Sequence, residues 1–158
     1  MPTYAANTDV STERSRGEIE RTLQRYGATG FLYGWNNDQA VLGFEMNKRQ
    51  LRFTIALPDR QAAAFQKTPT GKQRTPHAAQ EAWEQATRQR WRALALVIKA
   101  KLEAVESGIA TFEEEFLAHI LLPSGQTVGQ WMIPQVKQAY LTGDMPALLP
   151  QLTAGEPR

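Results

Sequence analysis

The sequence predicts an α+β fold: a three-stranded antiparallel meander preceded by one helix, covered by a long helix, and followed by a smaller helical C-terminal part. Three observations carry this. Apolar residues alternate with period two through three consecutive segments between Phe31 and Leu57, which marks strands with one apolar face. Only short polar turns separate these segments. A period of three to four then governs Trp91 to Ile109, which is helical. The chain has 158 residues. That length fits one domain, since ~150 residues bury roughly 70% of their unfolded surface. Residues 1–150 are read as this domain and 151–158 as a flexible tail.

Residues 1–10 read as a loose N-terminal tail. Ser11 or Thr12 caps a helix running to about Tyr26, with Gly27 just past its end. Ile19, Leu23 and Tyr26 form its apolar stripe. The first strand carries Phe31, Tyr33 and Trp35 on one face, and Asn36-Asn37-Asp38 turns the chain. Ala40, Leu42, Phe44 and Met46 mark the second strand. Asn47-Lys48 makes a tight turn, and Leu51, Phe53, Ile55 and Leu57 mark the third. The apolar face must be covered, and the remaining candidates are helices.

Pro58-Asp59 ends the meander. Residues 59–76 lack a sustained period and read as a basic loop punctuated by proline and glycine. Loops this long are usually functional or disordered. A helix then runs from His77 or Ala78 to Ser107, with Gly108 as its stop. Trp91, Leu94, Ile98, Leu102, Val105 and Ile109 form the stripe that lies on the sheet, and the more polar first half is expected to project past the core. Thr111-Phe112-Glu113-Glu114 is a capping-box pattern that opens another helix. Pro123-Ser124-Gly125-Gln126 is a turn between short segments that could pair. A last helix spans Val128 to Tyr140, where Pro134 must kink it or sit in its first turn. Pro146, Pro150 and Pro157 make the end an extended tail.

The chain has no cysteine, which removes disulfides, thiolate nucleophiles and thiolate metal sites together. The only histidines, His77 and His119, are far apart in sequence, with no metal-ligand spacing. Thr70-Gly71-Lys72 lacks the upstream glycine and the strand-to-helix setting of a phosphate-binding loop. Glu113, Glu114 and Glu115 complement the dipole of their own helix. No catalytic constellation, metal or cofactor is expected, so the protein is read as non-enzymatic. No signal segment or membrane span is visible, and the expected location is the cytoplasm.

Charge is more informative. The net charge is +2, but residues 60–92 carry seven cations against two acids, a net of +5. From Leu102 to the end, seven acids face two cations, a net of −5. Such polarity suggests an anionic partner on the basic side. Aromatic rings beside a cationic groove are how single strands are commonly held.

The stretch from Trp91 to Pro150, with Arg90-Trp91-Arg92-Ala93-Leu94-Ala95 and Thr111-Phe112-Glu113-Glu114-Glu115-Phe116, resembles small uncharacterised bacteriophage and prophage proteins. The Thr68-Pro69-Thr70-Gly71 loop and the Met145-Pro146-Ala147-Leu148-Leu149-Pro150 tail are similar too. In topology alone, the helix, meander and long helix are similar to the core of phage single-strand annealing (Rad52-like) proteins. The resemblance implies a phage accessory protein in the host bacterial cytoplasm and brings no known activity with it.

Together these readings give a non-enzymatic phage protein that binds nucleic acid, single-stranded, through the basic loop and the helix start. Arg60, Lys67, Lys72, Arg74, Arg88 and Arg92 are the candidate phosphate contacts, and Trp35 or Trp83 the candidate stacking surface. The alternative is an anti-defence protein that binds and inhibits a host protein through its acidic half or exposed tryptophans. A helix of ~30 residues spans roughly 45 Å and outruns strands of ~8 residues, roughly 27 Å. A homo-oligomer that buries Trp83 on the overhang is therefore expected.

Overall fold

The computed structural model describes residues 4–145. The proline-rich end and the 151–158 tail lie outside the described residues. The elements run α1 (Thr12–Arg25), β1 (Gly30–Trp35), β2 (Gln39–Met46), β3 (Arg49–Ala56), α2 (Ala63–Gln66), α3 (Pro76–Glu106), α4 (Phe112–Phe116), a 3-10 turn (Leu117–His119) and α5 (Val128–Thr142). This is the expected α+β order.

The sheet is a β1-β2-β3 antiparallel meander. Asn47 and Lys48 both adopt positive φ, 51° and 59°. That geometry matches the right-handed twist of the flanking strands in a two-residue hairpin turn. It fixes Phe44 opposite Leu51 and Leu42 opposite Phe53. On the other side Phe31 pairs with Phe44 and Tyr33 with Leu42. Even-spaced apolar residues of all three strands therefore share one face.

Helices α1 and α3 pack against each other and cover that face. Ile19 and Leu23 of α1, Trp91, Ile98 and Leu102 of α3, and Leu42, Phe44, Leu51 and Phe53 of the sheet form one buried cluster. Phe112 and Phe116 of α4 close one end of it. Phe116 meets both Phe44 and Phe53 edge-on, at centroid distances of 6.1 and 6.4 Å, a favoured aromatic geometry. Trp91 meets Tyr33 edge-on at 5.5 Å. Leu94 and Ile55 pack at the margin, partly buried.

Helix ends follow the expected chemistry. Ser11 accepts the backbone N–H of Arg14 and Thr75 that of Ala78, with Pro76 in the first turn of α3. Thr111 and Glu114 form a reciprocal capping box, as do Thr127 and Gln130. The backbone N–H of Thr111 holds the Glu114 carboxyl below its ordinary pKa.

Several expectations need correction. The N-terminal segment is not loose from Tyr4 on: the Gln85 amide of α3 donates to the carbonyls of Ala6 and Thr8 at 3.0 and 3.1 Å. The first half of α3 does not overhang, because α1, α2 and this segment lie along it. Residues 59–76 are not one open loop. They contain α2 and a tight turn in which Lys67 pairs with Gln73. Ile109 drops out of the stripe and is 82% exposed, because α3 ends at Glu106 and Gly108 turns the chain at φ 76°. The helix that opens at Thr111 lasts one turn before tightening to 3-10 geometry. Of the two positions open to Pro134, the structure has the interior one, inside α5 and beyond its first turn. No helix among the described residues is long and apolar enough to cross a membrane.

Candidate nucleic-acid interface

Trp35 ends β1 on the core-facing side of the sheet, opposite Ala40. It is nevertheless 69% exposed, so its ring is presented rather than packed. Trp83 approaches the same corner from α3. Its indole N–H donates to the Pro58 carbonyl at 2.6 Å. That bond fixes the ring and ties the helix to the end of the meander. The Arg60 guanidinium lies 3.9 Å from the Trp83 ring centroid, a cation–π contact, and donates to Gln80 at 3.3 Å.

These three residues, with Asn36, Asn37, Asp38, Leu57 and Asp59, line one cleft of about 290 Å³. Its rim comes from two turns. The Asn36 side-chain oxygen accepts the backbone N–H of Asp38 and of Gln39, each at 2.9 Å. Asp59 likewise accepts the N–H of Gln61 at 2.9 Å. Such Asx turns hold the backbone on both sides of the cleft.

The basic loop adjoins it. The Gln66 amide donates to the Arg60 carbonyl at 2.8 Å, and the Arg74 backbone N–H donates to the Gln66 carbonyl at 2.8 Å. Thr68 exchanges bonds with Lys72, accepting its N–H at 3.0 Å and donating its own backbone N–H to the Lys72 carbonyl at 2.8 Å. The loop is thus a small ordered turn anchored beside Arg60. Lys67 and Lys72 are exposed on it, with no acid paired to them within the described residues.

The structure thus brings Trp35, Arg60 and Trp83 together and sets Lys67, Lys72 and Arg74 nearby. It places the other two candidates differently. Arg88 donates to Gln85 and lines a separate cleft with Ser11, Glu13 and Trp83. Arg92 bonds Glu18 across the α1–α3 contact, so its charge is already offset. A groove of about 610 Å³ between β3 and α3 carries Arg90 but neither tryptophan nor tyrosine.

Sequence reasoning alone does not bring Asn37, Asp38 and Asp59 to the site. Their signal is there, since polar turns follow Trp35 and precede Arg60 directly. Only the fold shows that both turns come to one corner with α3.

Other titratable groups lie elsewhere. His119 stacks on Phe53, with centroids 3.8 Å apart. Burial, with a smaller effect of Lys101, lowers its pKa below the ordinary value of 6.5. His77 sits 3.3 Å from Glu81 on the exposed start of α3. Among the described residues, no three His, Asp or Glu side chains converge as metal ligands.

One further surface stands out. Helix α5 joins the rest mainly at the 3-10 turn, where Gly129 fits so closely that a Cβ would meet the Ala118 carbonyl at 2.9 Å. Beyond that point Trp131, Ile133, Val136, Tyr140 and Leu141 are exposed, Tyr140 by 88%.

No protein-family model matches the chain, and no similar curated protein or solved structure was found.

Proposed function

We propose that the chain is a non-enzymatic phage accessory protein that holds single-stranded nucleic acid at the Trp35–Arg60–Trp83 cleft. The phage origin rests on the sequence resemblance. The binding reading rests on one observation: an exposed tryptophan and an arginine-covered tryptophan line one cleft beside an ordered basic turn. Aromatic faces take bases of any identity, and cations alongside follow the phosphates. Duplex fits less well, because its bases are already stacked and its charge runs along two strands. The test is quenching of intrinsic tryptophan fluorescence by a random-sequence single strand, compared with Trp35→Ala. Quenching that is lost in the variant supports the reading. Quenching of equal size in both proteins removes Trp35 from it.

A second reading, contact with a protein partner, is favoured by α5. Among its fifteen residues Lys137 is the only charged one, and its exposed apolar side chains form a surface of the kind that marks protein contacts. A host protein fits the anti-defence alternative, and a second copy fits the expected homo-oligomer. Trp83 does not suit the oligomer contact, since its N–H is bonded and one ring face is covered. Light scattering of wild type and Trp131→Glu separates the cases. A multimer that the variant dissolves assigns α5 to self-association, and a monomer in both leaves it to a foreign partner.

A further inference from the structure

We infer that the Trp35–Arg60–Trp83 cleft selects guanine among the bases of a strand. The inference rests on the nucleic-acid reading above and adds the identity of the base. At about 290 Å³ the cleft lies at the small end of ligand pockets, which suits one base rather than a length of strand. Trp35, 69% exposed, supplies a stacking face, but stacking tolerates every base. Selection must come from the polar groups on the rim.

Those groups are the Asp38 and Asp59 carboxylates, the Asn36 and Asn37 amides and the Arg60 guanidinium, and the carboxylates set the discrimination. Asp38 and Asp59 both line the cleft, and an ionised carboxylate only accepts hydrogen bonds. One Asp59 oxygen is engaged by the Gln61 N–H, and the other is left for a ligand. The Asp38 carboxylate takes no hydrogen bond or ion pair from the described residues, while its backbone is held in place by Asn36. Asn36 itself is not available as an acceptor, because its oxygen already holds two N–H groups.

A carboxylate facing a base edge discriminates by donor pattern. Guanine sets two donors side by side on its Watson–Crick edge, N1–H and the N2 amino group. Adenine and cytosine set one donor beside an acceptor. Thymine and uracil set one donor between two carbonyls, which a carboxylate repels. Arg60 completes the match. One of its terminal nitrogens is used by Gln80, and its remaining N–H groups suit the guanine O6 and N7 acceptors. Two carboxylates against one guanidinium also disfavour a phosphate inside the cleft. Phosphates fall instead to the turn bearing Lys67, Lys72 and Arg74.

The experiment uses the full chain and fluorescence anisotropy with labelled dT oligomers carrying one central dG, dA, dC or deoxyinosine. Inosine keeps N1–H and O6 but lacks the N2 amino group. The inference predicts that the dG oligomer binds about tenfold tighter than the others, the usual worth of one bidentate contact. Inosine should lose most of that gain, and Asp38→Asn and Asp59→Asn should each narrow the ratio of dG to dT affinity. Equal affinity for every oligomer overturns the guanine inference and leaves the nucleic-acid reading standing. The inosine comparison needs no variant, so a misfolded mutant cannot obscure it. If no oligomer binds at ~50 mM salt, where electrostatic affinity is strong, tryptophan quenching by guanosine monophosphate against inosine monophosphate decides separately. Preference for the guanine nucleotide keeps the base site and removes the strand, and no preference overturns both.

Discussion

Replacing Trp91 by alanine should be among the most damaging single changes to the fold. Trp91 is 1% exposed and lies where α3 crosses the sheet. Its ring packs edge-on to Tyr33 at 5.5 Å, and the Arg16 guanidinium lies 5.7 Å from its centroid. Removing it forfeits the transfer energy of a large aromatic group and leaves a cavity that a sheet braced by hydrogen bonds fills only in part. The expected cost is about 3–5 kcal/mol. In a chain of this size each kcal/mol shifts the melting temperature by about 2–4 °C, so the drop should be roughly 6–20 °C. Thermal melts followed by circular dichroism provide the assay, and Trp35→Ala is the internal control. Trp35 is the same residue type but 69% exposed, so its removal should cost less than about 0.5 kcal/mol. If Trp91→Ala melts with the parent, or if Trp35→Ala is the worse variant, the packing of α3 on the sheet is wrong.

Three further outcomes follow from single sites. Ser15 of α1 is fully buried and its hydroxyl has no hydrogen-bond partner among the described residues, so Ser15→Ala should be neutral or stabilise by up to about 1 kcal/mol in urea denaturation; a destabilisation above about 1 kcal/mol would show that the hydroxyl is bonded. Gly129→Ala drives a methyl group against the Ala118 carbonyl, and should cost about 1–3 kcal/mol despite the helix propensity gained, with α5 the first part to lose protection from amide exchange. For His119 the folded pKa lies below the unfolded value of 6.5, so the unfolded state binds more protons. Its contribution should be fully present above pH ~6.5 and fall as pH drops through ~6.5 toward the folded pKa; His119→Gln should narrow the stability gap between about pH 7.5 and about pH 5.5, and an unchanged gap would assign that dependence to other groups.

Much of the fold is legible in the sequence because it is local. The meander's register follows from alternation and from a two-residue turn, and the core stripe of α3 from Trp91, Ile98 and Leu102. The capping box at Thr111 is a pattern of four adjacent residues. What stays obscure depends on pairs distant along the chain. Gln85 meets Ala6 and Thr8, and no periodicity announces that a helix side chain will hold an N-terminal segment. Arg92 reads as a free cation in the sequence, but Glu18 lies across the helix pair. The cleft is half visible: Trp35 and Trp83 stand out separately, while Asp38 and Asp59 look like ordinary turn residues. Helix α5 is expected, but the exposure of its apolar side chains depends on how little of the fold reaches it.

The most direct test of the central claim is the salt dependence of single-strand affinity, measured by anisotropy with labelled oligo(dT) from ~50 to ~200 mM salt. Wild type should bind at ~50 mM, where electrostatic affinity is strong, and weaken log-linearly as salt rises. The double variant Lys72→Ala, Arg74→Ala should keep the parent melting temperature and bind more weakly. Its log–log slope should be shallower by roughly 0.7 for each phosphate it no longer neutralises. Absence of binding by the wild-type protein at ~50 mM salt, or a double variant with the parent slope and affinity, would contradict the proposal that this corner of the protein holds nucleic acid.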